Sequence, residues 1–113
     1  MTYLIEAVCE PCGGNIVKLN DAEIAEYANE LPEWTIVECD GEKQLQRVFK
    51  FKNFAKAMAF SNDVAELAES ENHHPSLLTE WGKVTVTWWT HSVRGLHKND
   101  FILAARTDLL YPD

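Results

Sequence analysis

Two glycine-centred turns constrain this chain more than any other feature. Asp40-Gly41 and the turn at Gly82 each break a pair of segments with strand-like alternation, 33–39 with 43–51 and 76–81 with 83–90. Alternation at period two marks a half-buried strand, and glycine supplies the positive φ that a tight hairpin needs. Trp34 and Ile36 share one face of the first strand. Leu45, Phe49 and Phe51 share one face of the second, with Gln46 and Lys50 opposite. In 83–90, Val84, Val86 and Trp88 face one way; Thr85, Thr87 and Trp89 face the other, and His91 continues that more polar face.

A helical pattern precedes each hairpin. In 20–31, Ile24, Tyr27, Ala28 and Leu31 recur at i, i+3, i+4 and i+7; Asn20 and Glu23 stand in capping-box positions, and Pro32 ends the run. In 53–71, Asn53 is the cap. Phe54, Ala57, Met58, Val64, Ala65 and Ala68, widened by Phe60 and Leu67, form a stripe broader than one buried face requires. A second subunit or a thick core would each account for it. A last helix over 97–110 buries Phe101, Ala104 and Ala105 with Ile102 and Leu109, and Asp100 falls in its first turn, where an acid suits the helix dipole. The order αββαββα predicts an α+β fold: one four-stranded antiparallel sheet with three helices packed on one face. A chain of 113 residues forms one domain, here expected over 20–113 behind an N-terminal extension, 1–19.

Charge narrows the partners. The formal net charge of -8 argues against nucleic acid and against an anionic membrane surface, both of which need clustered Lys and Arg. No apolar run spans a bilayer, and Glu6 and Glu10 do not fit a signal peptide. An odd cysteine count, three, beside four tryptophans suggests a core held by packing in a reducing, cytoplasmic compartment. Cys9-x-x-Cys12 offers two zinc ligands where a structural site takes four, and Gly13-Gly14 follows it instead of a helix. Neither a metal nor a redox role is expected of it.

The chemistry gathers at Glu71-Asn72-His73-His74-Pro75, between the long helix and the next strand, with His91 at the end of the strand after that. Histidine can give or take a proton near neutrality. Adjacent histidines cannot point the same way, so one faces a site while the other binds or orients. Glu69, one helical turn before His73, can bias a histidine's charge. A histidine at a helix C-terminus is also stabilised by the dipole alone, so the residues by themselves leave both readings open. Ser70 and Ser76 lack the setting of a nucleophile. His73, His74 and His91 are not expected to bind metal, because adjacent histidines chelate one ion awkwardly and no carboxylate has ligand spacing beside them.

The run Glu69-x-x-x-His73-His74-Pro75, then five residues to Trp81, nine to His91 and eight to Asp100, resembles the signature of the pterin-4a-carbinolamine dehydratases. Gly82-Lys83-Val84-Thr85-Val86, Thr90-His91, Gly95-Leu96 and Asn99-Asp100 share the likeness, which covers about 20 to 108. The resemblance implies the same αββαββα fold, homodimers joined sheet edge to sheet edge, and homotetramers built through helices. It implies a lyase with no cofactor that dehydrates 4a-hydroxytetrahydropterin (4a-hydroxytetrahydrobiopterin) to quinonoid dihydropterin, recycling the cofactor of aromatic amino acid hydroxylases. His73, His74 and His91 carry over as the catalytic histidines, and Glu69, Pro75, Trp81 and Asp100 as supporting or substrate-binding residues. His73 is assigned as the leading acid/base and His91 as the second, with His74 orienting the ring and Glu69 and Asp100 holding histidine tautomer or charge. Two alternatives also follow: a protein-binding dimerisation cofactor of a transcriptional regulator, and a pterin-binding module without turnover. In one respect the chain departs from the pattern: His97 stands where the family commonly places a small hydroxyl cap.

Overall fold

The structure, a computed structural model, describes Leu4 and residues 17–112. The Cys9/Cys12 segment lies outside the described residues. Helix α1 (Asp21–Ala28) leads into strands β1 (Thr35–Cys39) and β2 (Glu42–Lys50). Helix α2 (Phe54–Glu71) leads into strands β3 (Ser76–Glu80) and β4 (Lys83–Trp88), and helix α3 (Lys98–Leu110) closes the order. The strands form one antiparallel sheet in the order β1-β2-β4-β3. The two hairpins thus meet through their second strands, with Leu45 opposite Trp88 and Phe49 opposite Val84.

Side-chain alternation decides which face is covered. Leu45, Phe49, Val84, Val86 and Trp88 are fully buried beneath the helices. On the opposite face Val48 and Leu78 are exposed. Helix α2 contributes Ala57, Phe60, Val64 and Ala68 to the core, and α3 contributes Phe101, Ile102, Leu103 and Ala104. Tyr111 packs edge to face on Phe49 and Phe60 at centroid separations of 5.0 and 5.9 Å, a favoured aromatic arrangement, and Phe49 and Phe60 meet at a tilt, 4.7 Å apart. Leu4 and Leu19 also enter this core, and the Leu19 amide donates to the Leu96 carbonyl. Part of the expected extension therefore packs on the domain.

Four local expectations change. Leu109, expected on the buried side of the last helix, is 68% exposed. Helix α1 ends at Ala28, before Leu31, because the Leu31 amide turns back onto the Ala28 carbonyl in a tighter, three-residue bond. The broad stripe of α2 divides: Ala57, Phe60, Val64 and Ala68 face the core, whereas Phe54, Met58 and Ala65 are exposed. Strand β4 stops at Trp88, so side-chain parity does not extend to His91. Thr90 instead bridges Gly95, and His91–Val93 form a single 3-10 turn between them.

Candidate active site

The C-terminus of α2 builds one wall of the site. Asn72 takes the left-handed conformation (φ 50°), and its amide and that of His73 return to the carbonyls of Glu69 and Ala68. This paired closure ends a helix and reverses the chain sharply. It turns His73 inward, 6% exposed, and leaves His74 exposed. Pro75 then starts the run into β3, since its ring cannot continue a helix.

His73 lies against Trp88, with the rings nearly parallel and 5.9 Å apart. Its Nε2 makes a 2.7 Å hydrogen bond with Oδ1 of Asp100, which is wholly buried in the first turn of α3. The other oxygen of Asp100 accepts from Thr90 Oγ1 at 2.7 Å and from the His97 amide at 2.9 Å. A buried carboxylate with three donors around it is satisfied where it sits. His97 is an effective cap despite its size: its Nδ1 accepts from the Asn99 amide at 3.0 Å, completing a capping box with Asp100. A ring nitrogen here does the work of the usual hydroxyl.

Asp100 therefore belongs to the site and to the helix start together. It ties His73 at the end of α2 to Thr90 at the root of the loop that carries His91. His91 is exposed and packs at 4.7 Å against the ring of Trp89. His74 Nε2 lies 3.3 Å from Glu69 Oε2 at the surface, so Glu69 partners His74, whereas His73 is held by Asp100.

A cavity of about 220 Å3 joins these elements, lined by Asn72, His73, His74, Trp89, Thr90, His91 and Ser92. The three sequence-predicted histidines thus share one pocket, with Asp100 behind them and Glu69 beside them. Trp81 does not reach it. That side chain is 70% exposed at the far tip of the β3–β4 hairpin. Sequence reasoning gave no role to Thr90 and no cavity position to Trp89. Both follow the last regular strand residue, where period-two reading ends. Among the described residues, no cluster of His, Cys, Asp and Glu is arranged to hold a metal ion. The pocket offers one buried, carboxylate-fixed imidazole and two exposed ones, a set suited to moving protons on a small polar ligand.

The family model described as "Pterin 4 alpha carbinolamine dehydratase" matches residues 17–110. Among solved structures, the chain is similar to a transcriptional coactivator/pterin dehydratase from Brucella melitensis. The two share 32% identity over 85% of this chain and 100% of that one, with a TM-score of 0.78. A pterin dehydratase-like protein identified as a RuBisCO assembly factor in the alpha-carboxysome is similar at 23% identity, covering 72% of this chain and 92% of that one, with a TM-score of 0.60. At that identity the likeness is one of fold alone.

Proposed function

The chain belongs to the pterin 4 alpha carbinolamine dehydratase family, and on that premise we propose that it dehydrates a 4a-hydroxytetrahydropterin to the quinonoid dihydropterin. The observation that carries this reading is the convergence of His73, His74 and His91 on one cavity. Elimination of water needs a proton delivered to the departing 4a-hydroxyl and one removed from a ring nitrogen. Positioned groups that titrate near neutrality contribute about 10²- to 10⁴-fold each to such steps. His73, fixed through Nε2 by Asp100, is the leading acid/base. His91 is the second, facing the ligand from the loop after β4. His74, beside Glu69, binds and orients the pterin ring. No cofactor is required, because the reaction moves only protons and water.

The test is the rate at which purified protein converts freshly generated 4a-hydroxytetrahydropterin, measured against the uncatalysed reaction. Acceleration is expected. Calorimetric binding of a dihydropterin without acceleration would replace the enzyme by a pterin-binding module, and absence of both would overturn the reading.

Assembly is proposed from the surface. Phe54 (48% exposed) and Met58 (37% exposed) stand one turn apart on α2, and β1 and β3 are sheet edges. These features support a homodimer or homotetramer, and they also support the alternative of a protein-binding dimerisation cofactor. Light scattering on wild type and on Phe54→Glu/Met58→Glu separates them. A smaller assembly in the double variant supports self-association through α2, whereas an unchanged mass leaves that face to another protein. The cytoplasmic assignment rests on cysteine usage. Among the described residues, no helix is long and apolar enough to cross a membrane.

A further inference from the structure

Among the described residues, Lys43, Arg47, Lys83, Arg94 and Arg106 form ion pairs with acidic side chains. Two others, Lys52 and Lys56, border a single groove and form no ion pair among the described residues, while Lys50 reaches it through its backbone carbonyl. The chain has 18 acids to 10 bases, so acidic partners are plentiful elsewhere. Two neighbouring lysines with no acidic partner among the described residues form a local positive patch on a chain of net negative charge, the pattern that concentrates an anion.

The groove is well formed. It is half open to solvent and spans about 620 Å3 between the end of β2, the first half of α2 and residues 110–112. That volume lies in the range of about 300–1,000 Å3 usual for small-molecule sites. Phe51, Phe60 and Tyr111 line it and pack on one another, with centroids 5.2 to 5.9 Å apart. Tyr111 is fixed by a 2.8 Å hydrogen bond from its hydroxyl to the Lys50 carbonyl. Ala59 opens the helix wall, since any larger side chain there would enter the space. Lys56 lies in the first turn of α2, where the helix dipole adds positive potential. Asp63, the one acid among the described lining residues, stands seven residues on, about 10 Å along the same helix face. Among the described residues, the groove shares no lining residue with the histidine cavity.

We propose that this groove is a second binding site, for a small anion with a flat apolar body. Lys52 and Lys56 hold a carboxylate, sulfonate or phosphate group. The apolar body lies against Phe51, Phe60 and Tyr111. The far end, near Asp63, is uncharged or donates hydrogen bonds, because a second anion there would meet the carboxylate.

The probe is 8-anilinonaphthalene-1-sulfonate, an aromatic sulfonate whose fluorescence rises on binding, titrated into the full chain. Lys52→Gln/Lys56→Gln removes two charges, and Ala59→Trp fills the groove while leaving the charges in place. Lys18→Gln/Lys43→Gln removes two charges elsewhere. Single-site dye affinity is expected to fall about tenfold or more in the first two variants, as the loss of charge-assisted contacts implies. It is expected to stay within about twofold in the third. Affinity unchanged in both groove variants would overturn the proposal, and so would loss of binding in His91→Ala instead, which would put the dye in the histidine cavity.

Discussion

Asp100→Asn should separate the chemistry of the site from its architecture. Oδ2 of Asp100 receives a backbone amide, that of His97, as well as the Thr90 hydroxyl. The amide N–H can only donate, so the asparagine must keep its carbonyl oxygen on that side. Its NH2 group then faces His73 Nε2, now 2.7 Å from Oδ1. Opposite a carboxylate, Nε2 is the donor; opposite an NH2 group it must accept, and the ring proton moves to Nδ1. The variant exchanges a charge-assisted bond for a neutral one, a loss of about 1–2 kcal/mol. A domain of ~5–15 kcal/mol stability survives that. The tautomer, however, is reversed, and a wrongly held imidazole costs about 10²- to 10⁴-fold in proton transfer. Asp100→Ala would be less informative. It strands the Thr90 hydroxyl, the His97 amide and the His73 ring, each at about 1–3 kcal/mol, which threatens the fold itself. The assays are urea unfolding, carbinolamine dehydration and nitrogen chemical shifts of the His73 ring. A folded Asp100→Asn protein with the reversed tautomer and a wild-type dehydration rate would refute the reasoning.

Thr90→Val removes the hydroxyl donor to Asp100 and should lower stability by about 1–2 kcal/mol in urea, with a fall in dehydration rate as the His91 loop loosens. At Asn72, φ is 50°, so Asn72→Gly should be neutral or slightly stabilising, whereas Asn72→Val should cost about 1–2 kcal/mol; equal urea midpoints for the two would contradict the left-handed turn. Burial pushes the Asp108 carboxyl above its ordinary value, against the opposing pull of the Trp34 N–H and the Arg47 guanidinium. A raised folded value gives stability that is present at acid pH and lost as pH rises through it. Asp108→Asn, which does not titrate, should therefore gain on wild type as pH rises through and above the ordinary carboxylate range, read as the difference in urea midpoints; a constant difference would contradict the burial effect.

The fold was legible because its signals are local. The glycine turns at Gly41 and Gly82 and the alternation of 43–51 and 83–90 predict both hairpins, and the Asn20/Glu23 and Asn53 caps predict two helix starts that the structure has. Legibility failed where contacts are long-range. Asp100 reads from sequence as a helix-start acid, and it is one, but its bond to His73 spans 27 positions and appears only when α2 and α3 pack. Parity carried His91 onto a strand face, yet β4 ends three residues earlier, and the turn closed by Thr90 and Gly95 sets its direction. Strand periodicity contains no information about that turn. His97 departs from the family's hydroxyl cap and still caps, because Nδ1 of a neutral imidazole accepts a hydrogen bond as an oxygen would. The apolar residues of α2 were visible as a broad stripe, but its division into a core face and an exposed face depends on where β3, β4 and α3 lie.

The central claim is that His73, His74 and His91 act as one proton-transfer site on a pterin carbinolamine. The most direct measurement is the dehydration rate of wild type beside His73→Ala, His74→Ala and His91→Ala, each first shown to be folded. A wild-type rate well above the uncatalysed one is expected, with losses of about 10²-fold or more for His73→Ala and His91→Ala, and for His74→Ala a weaker apparent affinity more than a slower step. Three folded variants that all dehydrate at the wild-type rate would contradict it.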